Sequence, residues 1–183
     1  MPTIFTHAVL GLGGGKIFSL KNQPKKFWFF AIILPVLPDA DSITFLFNIP
    51  YWHDFGHRGF FHSIFFAFIL VLLVMLLFFR EDKILSKSWI AKLTFFFLIT
   101  LSHGILDAFT NGGLGIALLA PFENTRYFFP YRPIPVSPIR IGSFLSSWGA
   151  AVLVAEIICI WIPIFLIVYI KKLYLSLRLK YSE

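Results

Sequence analysis

The chain has 183 residues, 58% of them hydrophobic and only 14% charged, with a net charge of +7. A water-soluble domain of this size needs more polar surface than that, so composition excludes one and points to a membrane protein. The basic excess invites a nucleic-acid reading, but Lys and Arg sit in short clusters between apolar runs, where membrane topology puts them, and no direct nucleic-acid contact is expected.

In chain order, residues 4–20 form a short, glycine-rich apolar stretch, either a fifth span or a segment lying in the interface. No basic segment precedes it and no cleavage motif follows, so no removable leader is expected. Gly11 to Gly15 with Lys16 imitates a phosphate loop, but Leu10 and Ile17 stand where that loop needs Gly and Ser/Thr. Close helix packing explains these glycines better. Residues 27–51 make a span interrupted by Pro35, Pro38, Asp39 and Asp41. Residues 60–79 supply about the 20 apolar residues a bilayer crossing requires. Residues 89–110 form the next span and carry Ser102, His103 and Asp107 toward its end. The segment 121–138 holds five of the eleven prolines among interleaved aromatics, so it should lie at the outer interface and cover whatever is polar there. Residues 143–170 form a last span with Glu156 inside it. Cys159 is the single cysteine, which rules out an internal disulfide.

The expected fold is therefore all-α: a membrane bundle of four to five transmembrane helices with a proline-rich outer loop, one domain over residues 1–183. Four basic residues fall in 16–26, four in 80–92 and four in 171–180, leaving Arg58, Arg126, Arg132 and Arg140 for the opposite side. The three clusters, with Glu81, Asp82 and Glu183, are then cytoplasmic, as is the C-terminus. On this topology His7, Asp39, Asp41, His53, Asp54, His57, His62, His103, Asp107 and Glu123 all gather in the outer half or outer loops.

Carboxylates are expensive inside a bilayer and need partners and a task. His103 and Asp107 are four apart and share one helix face, as a plain hydrogen-bonded pair or as two ligands. Asp39 and Asp41, in Leu-Pro-Asp-Ala-Asp, can converge on one cation from irregular backbone, or cap a helix end. His57 and His62 flank Arg58 where a span begins. His7 is promoted only by its side of the membrane. A mixed His and carboxylate set suits zinc first, then manganese or iron. Arg126 and Arg132, with Arg58, can bind a phosphate bidentately or simply face anionic lipid.

Taken in order, Thr6-His7, Pro38-Asp39-Ala40-Asp41, His57 to Ser63, His103 to Asp107, Gly112-Gly113 and Pro121-Phe122 resemble the pattern of the YdjM-type inner-membrane proteins, a family labelled metal-dependent hydrolases. The match covers residues 6–122. A looser likeness is to zinc-dependent phospholipases C, whose further His-x-x-x-Glu is absent here. The resemblance implies a hydrolase, and with it the expected activity is cleavage of a phosphoester on a lipid-linked substrate at the outer leaflet. His7, Asp39, His57, His62, His103 and Asp107 would hold one or two divalent cations, with Glu156 a further candidate. Asp41 or Asp54 would accept the proton of the attacking water, and Arg58, Arg126 and Arg132 would neutralise phosphate. The alternative is a metal or proton transporter, against which the polar residues stop midway through the bilayer. No protein partner is legible; the expected partners are membrane lipid and the substrate.

Overall fold

The computed structural model describes residues 1–18, 23–138 and 141–180, without the side chains of Ile141 and Lys180; Leu20, Lys21, Arg140 and Glu183 lie outside them. Seven α-helices run through it, and among the described residues the only β features are two isolated bridges. The helices are α1 (Ile4–Ile17), α2 (Lys25–Ile33), α3 (Ile64–Phe78), α4 (Lys87–Ala108), a single turn α5 (Ile141–Phe144), α6 (Ser147–Glu156) and α7 (Ile162–Lys180). One π-helical turn, Ile157–Trp161, joins α6 to α7.

Hydroxyls set the starts. Ser63, Ser86 and Ser146 accept from the backbone of Phe66, Trp89 and Trp148, capping α3, α4 and α6. The Ser63 cap shortens the expected 60–79 span: its regular helix starts only at Ile64, after a 3₁₀ turn over Phe60–His62. The prolines act as expected on the second apolar run. Beyond α2 the chain bends by 48° and continues as 3₁₀ helix, Leu37–Phe47, with Pro38 in its first turn. Two helical stretches, Lys87–Ala108 and Ser147–Leu179, are long and apolar enough to cross a bilayer, and the bent pair makes a third. The 14 residues of α1 reach only about 21 Å, short of the ~30 Å hydrocarbon core. It is not a surface helix, however, because it packs against α2, α4 and α7.

The three basic clusters meet at one end of the bundle. Lys171 Nζ approaches the carbonyls of Lys16 and Ile17, Lys26 pairs with Glu81 at 2.6 Å, and Lys92 pairs with Asp82 at 2.6 Å. The Lys26 ammonium holds the exposed Glu81 carboxyl below its ordinary value. Next to this end lies an aromatic core in which Phe27 stacks on Phe95 at 5.1 Å, with Phe30, Phe79, Phe96 and Trp89 around them. The polar residues occupy the opposite end. There the proline-rich segment folds back onto α4: Phe129 N–H donates to the Ala108 carbonyl, and Ser137 N–H to that of Met1.

The α1 glycines do serve close packing. A Cβ on Gly11 would lie 1.8 Å from the Ala31 carbonyl oxygen of α2. Gly11→Val should therefore cost about 3 kcal/mol or more, because backbone rather than a flexible side chain stands in the way. Thermal unfolding in detergent measures it; an unchanged melt would refute this packing.

Candidate metal centre

Four elements converge at the polar end. The 3₁₀ segment after Pro38 contributes Asp39 and Asp41, the turn before α3 contributes His57, Arg58 and His62, α4 contributes His103 and Asp107, and α1 contributes His7. Each of these residues is buried, at 6% exposure or less. Their local backbone explains how they meet. The 3₁₀ winding of Leu37–Phe47 turns both aspartates inward, where an α-helix would place them about 200° apart. Arg58 adopts φ 65°, which reverses the chain so that His57 and His62 face the same space.

At the centre His62 Nε2 and His103 Nε2 stand 3.0 Å apart. Asp39 Oδ1 is 3.3 Å from His103 Nε2 and 3.6 Å from His62 Nε2, while Asp107 Oδ2 is 3.7 Å from His62 Nε2. The other ring nitrogens fix what these atoms are. His103 Nδ1 lies 2.8 Å from the Pro35 carbonyl, which can only accept, so Nδ1 carries the hydrogen and Nε2 presents a lone pair. His62 Nδ1 lies 3.0 Å from Asp41 Oδ2, a contact not aligned as a hydrogen bond. The His103 lone pair, the facing His62 nitrogen and two carboxylate oxygens thus point at one another in a buried site. Neither oxygen of Asp39 nor of Asp107 has a hydrogen-bond donor. Carboxylates buried without donors are costly unless a proton or a metal cation stands among these atoms. Ligands bound at ~2.0–2.1 Å in a tetrahedron are about 3.3–3.4 Å apart, and the observed separations bracket that value.

Around this set lies a layer that orients it. Asp41 uses Oδ1 on His57 Nδ1 at 2.6 Å and Oδ2 on the Arg58 backbone N–H at 3.1 Å as well as on His62. A carboxylate behind a histidine is the usual device for fixing its tautomer toward a metal. The Arg58 guanidinium is equally committed. Its Nε is 3.0 Å from Asp107 Oδ2, an ion pair not aligned as a hydrogen bond, and its other nitrogens donate to the Gly112 carbonyl at 2.6 Å and the Thr110 hydroxyl at 3.1 Å. The Met1 amine is 3.9 Å from Asp107 Oδ1. Three buried carboxylates thus share the pocket with the Arg58 guanidinium and the Met1 amine, and a divalent cation would offset part of their charge.

Asp39, His62, His103 and Asp107 therefore form one set of close ligand atoms, and Asp39, Asp41, His57 and His62 a second that overlaps it. His7 stacks on His103 with centroids 4.1 Å apart, and neither of its ring nitrogens has a partner. Other expected residues lie elsewhere. Asp54 and His53 are exposed, and His53 Nδ1 accepts from the Phe55 N–H. Arg126 donates to the carbonyls of Tyr51, His53 and His57, strapping the 51–57 turn in place. Arg132 is exposed and rests on the Phe128 ring at 4.9 Å. Glu156 is buried away from both sets and accepts from Thr3 N–H at 2.5 Å and from the Thr3 and Thr6 hydroxyls at 2.6 Å each. Outside the spans, burial pushes the Tyr51 phenol up beside the His57 ring. Sequence reasoning passed over the Pro35 carbonyl, though a signal existed: a proline-broken helix leaves carbonyls free for other donors.

Among known proteins the chain is similar over residues 1–178 to the family described as YdjM inner membrane protein. It is 37% identical over 166 residues to a curated protein of Escherichia coli (strain K12) described as Inner membrane protein YbcI, a match covering 89% of this chain and 92% of that protein. No solved structure matches it. The pattern of ligand types, the apolar helices that carry them and these two matches agree: the chain belongs to the YdjM family of integral inner-membrane proteins.

Proposed function

We propose that this protein is a metal-dependent hydrolase that cleaves a phosphoester of a lipid-linked substrate at the extracytoplasmic face. The observation that carries it is the buried meeting of His62 Nε2 and His103 Nε2 with the donor-free carboxylates of Asp39 and Asp107. The orientation follows from the positive-inside bias, since the basic clusters join at the bundle end opposite this set.

Asp39, His62, His103 and Asp107 hold one divalent cation, zinc first and manganese or iron next, while Asp41 and Arg58 orient the ligands. When bound, such an ion polarises the phosphoryl oxygen and lowers the pKa of water toward ~7. Water attacks phosphorus, the bond from phosphorus to the lipid oxygen breaks, and that oxygen leaves as an alcohol. The proton lost by water passes through Oδ2 of Asp39, which has no other donor to satisfy, to the leaving oxygen. His57, whose Nδ1 is held by Asp41, and His7 line the same polar space. Arg132, exposed at the outer loop, is free to meet the phosphate as it arrives.

The test is release of phosphate or phosphoalcohol from lipid phosphoesters by purified protein, with chelator and with zinc restored. Chelation should abolish turnover and zinc restore it. Stoichiometric metal with no turnover on any phosphoester, but with metal flux into liposomes, would replace the hydrolase with the transporter.

A further inference from the structure

A cavity of about 380 Å³ opens beside the candidate metal centre, lined by Met1 and Thr3, Ile4 and Phe5 of α1, Asp39 and Ser42, Ser137 and Pro138, and Phe144. Its wall is mostly apolar, with one exception that matters. Asp39 is only 6% exposed, yet both of its carboxylate oxygens lack a donor, and one of them belongs to the candidate ligand set. The cavity therefore runs from hydrocarbon side chains directly to a ligand of the ion. Ile4 and Phe5 at its edge are about half exposed, at 50% and 52%, on a bundle whose surface faces lipid. Met1 lines the same end, its amine 3.9 Å from Asp107 Oδ1, so an apolar slot ending at this amine and at a carboxylate that would hold a cation suits an apolar molecule with an anionic head.

We propose that this cavity seats the hydrocarbon chain of the substrate, which enters sideways from the bilayer with its phosphate directed to the Met1 amine and the cation that Asp39 would hold. The word substrate rests on the hydrolase reading above; the seating of an alkyl phosphate does not. A larger groove of about 640 Å³, along Ile64, Phe65, Phe68, Phe97 and Phe122, is the competitor. It touches none of the ligand residues, and Glu123 is its sole acidic group, so nothing there draws a phosphate toward the ion.

The probe is hexadecyl phosphate carrying a mid-chain diazirine, added to the full-length, zinc-loaded protein in nanodiscs and photolysed. Adducts mapped by peptide mass spectrometry should fall on Ile4, Phe5, Pro138 or Phe144, and unlabelled hexadecyl phosphate should displace them where butyl phosphate does not. Ser42→Trp, which fills the slot, should reduce these adducts about tenfold, the equivalent of losing burial of two methylenes. If that variant does not fold, Phe144→Trp takes its place. Adducts confined to Phe65, Phe68, Phe97 and Phe122, or spread evenly over the lipid-facing helices, would overturn the proposal. Labelling in the slot without turnover of any phosphoester would leave the seating intact and remove the hydrolase; turnover of butyl phosphate without labelling there would do the reverse.

Discussion

His103→Ala protein should lose any divalent metal that wild type retains on purification, whereas Asp41→Asn should keep it with affinity lowered about tenfold. The difference comes from position. His103 Nε2 is 3.0 Å from its counterpart on His62 and supplies a lone pair to the centre, while Asp41 touches His57 and His62 from behind. If roughly 10–16 kcal/mol of metal binding is shared by four ligands, deleting one costs about 3 kcal/mol, or about two orders of magnitude. His53→Ala is the control, because His53 is exposed and its ring bonds only the Phe55 N–H of its own turn. Elemental analysis of the purified variants and competition against a chelator give the numbers. Equal zinc in wild type and His103→Ala would end the assignment of the centre.

Arg58→Met should be the most damaging single change to stability, costing about 3–5 kcal/mol. Arg58 is 1% exposed, and its guanidinium serves Asp107, the Gly112 carbonyl and the Thr110 hydroxyl together. Methionine fills similar volume but leaves a buried carboxylate beside bare acceptors. Lysine does not rescue, because a single ammonium cannot reach three partners in a fork. In a chain of this length the loss should lower the melting temperature by about 10 °C. Adding Asp107→Leu should recover part of that loss while leaving the protein without metal. A melt unchanged in Arg58→Met would mean that Asp107 is neutralised by something else.

The ingredients of the site were legible because hydrocarbon rejects them. Asp39, His62, His103 and Asp107 each stand out in an apolar run, and one topological argument put them on one side. Their division of labour was not legible. Asp41 and Asp54 look alike as candidate bases, yet the turn through Gly56 and Arg58 sends Asp54 outward and folds Asp41 behind two histidines. Arg58 reads as a phosphate ligand by charge and neighbours, but three-dimensional closure gives it to Asp107. Arg126 likewise goes to backbone carbonyls, which no side-chain pattern reveals. The broken second span was predicted by its prolines; the shortened α3 was not, because Ser63 among apolar residues reads as a tolerated polar group rather than as a cap.

Glu156 shows what the end-to-end contacts of the bundle do for its assembly. Its carboxylate ties down the first turn of α1 across 153 residues of sequence, and Trp161 in the π-turn adds a bond to the same Thr6 hydroxyl. The helix that carries His7 is thus latched by a segment synthesised long after it has entered the bilayer. The two ends of the chain thereby meet around the wall that places His7 against His103.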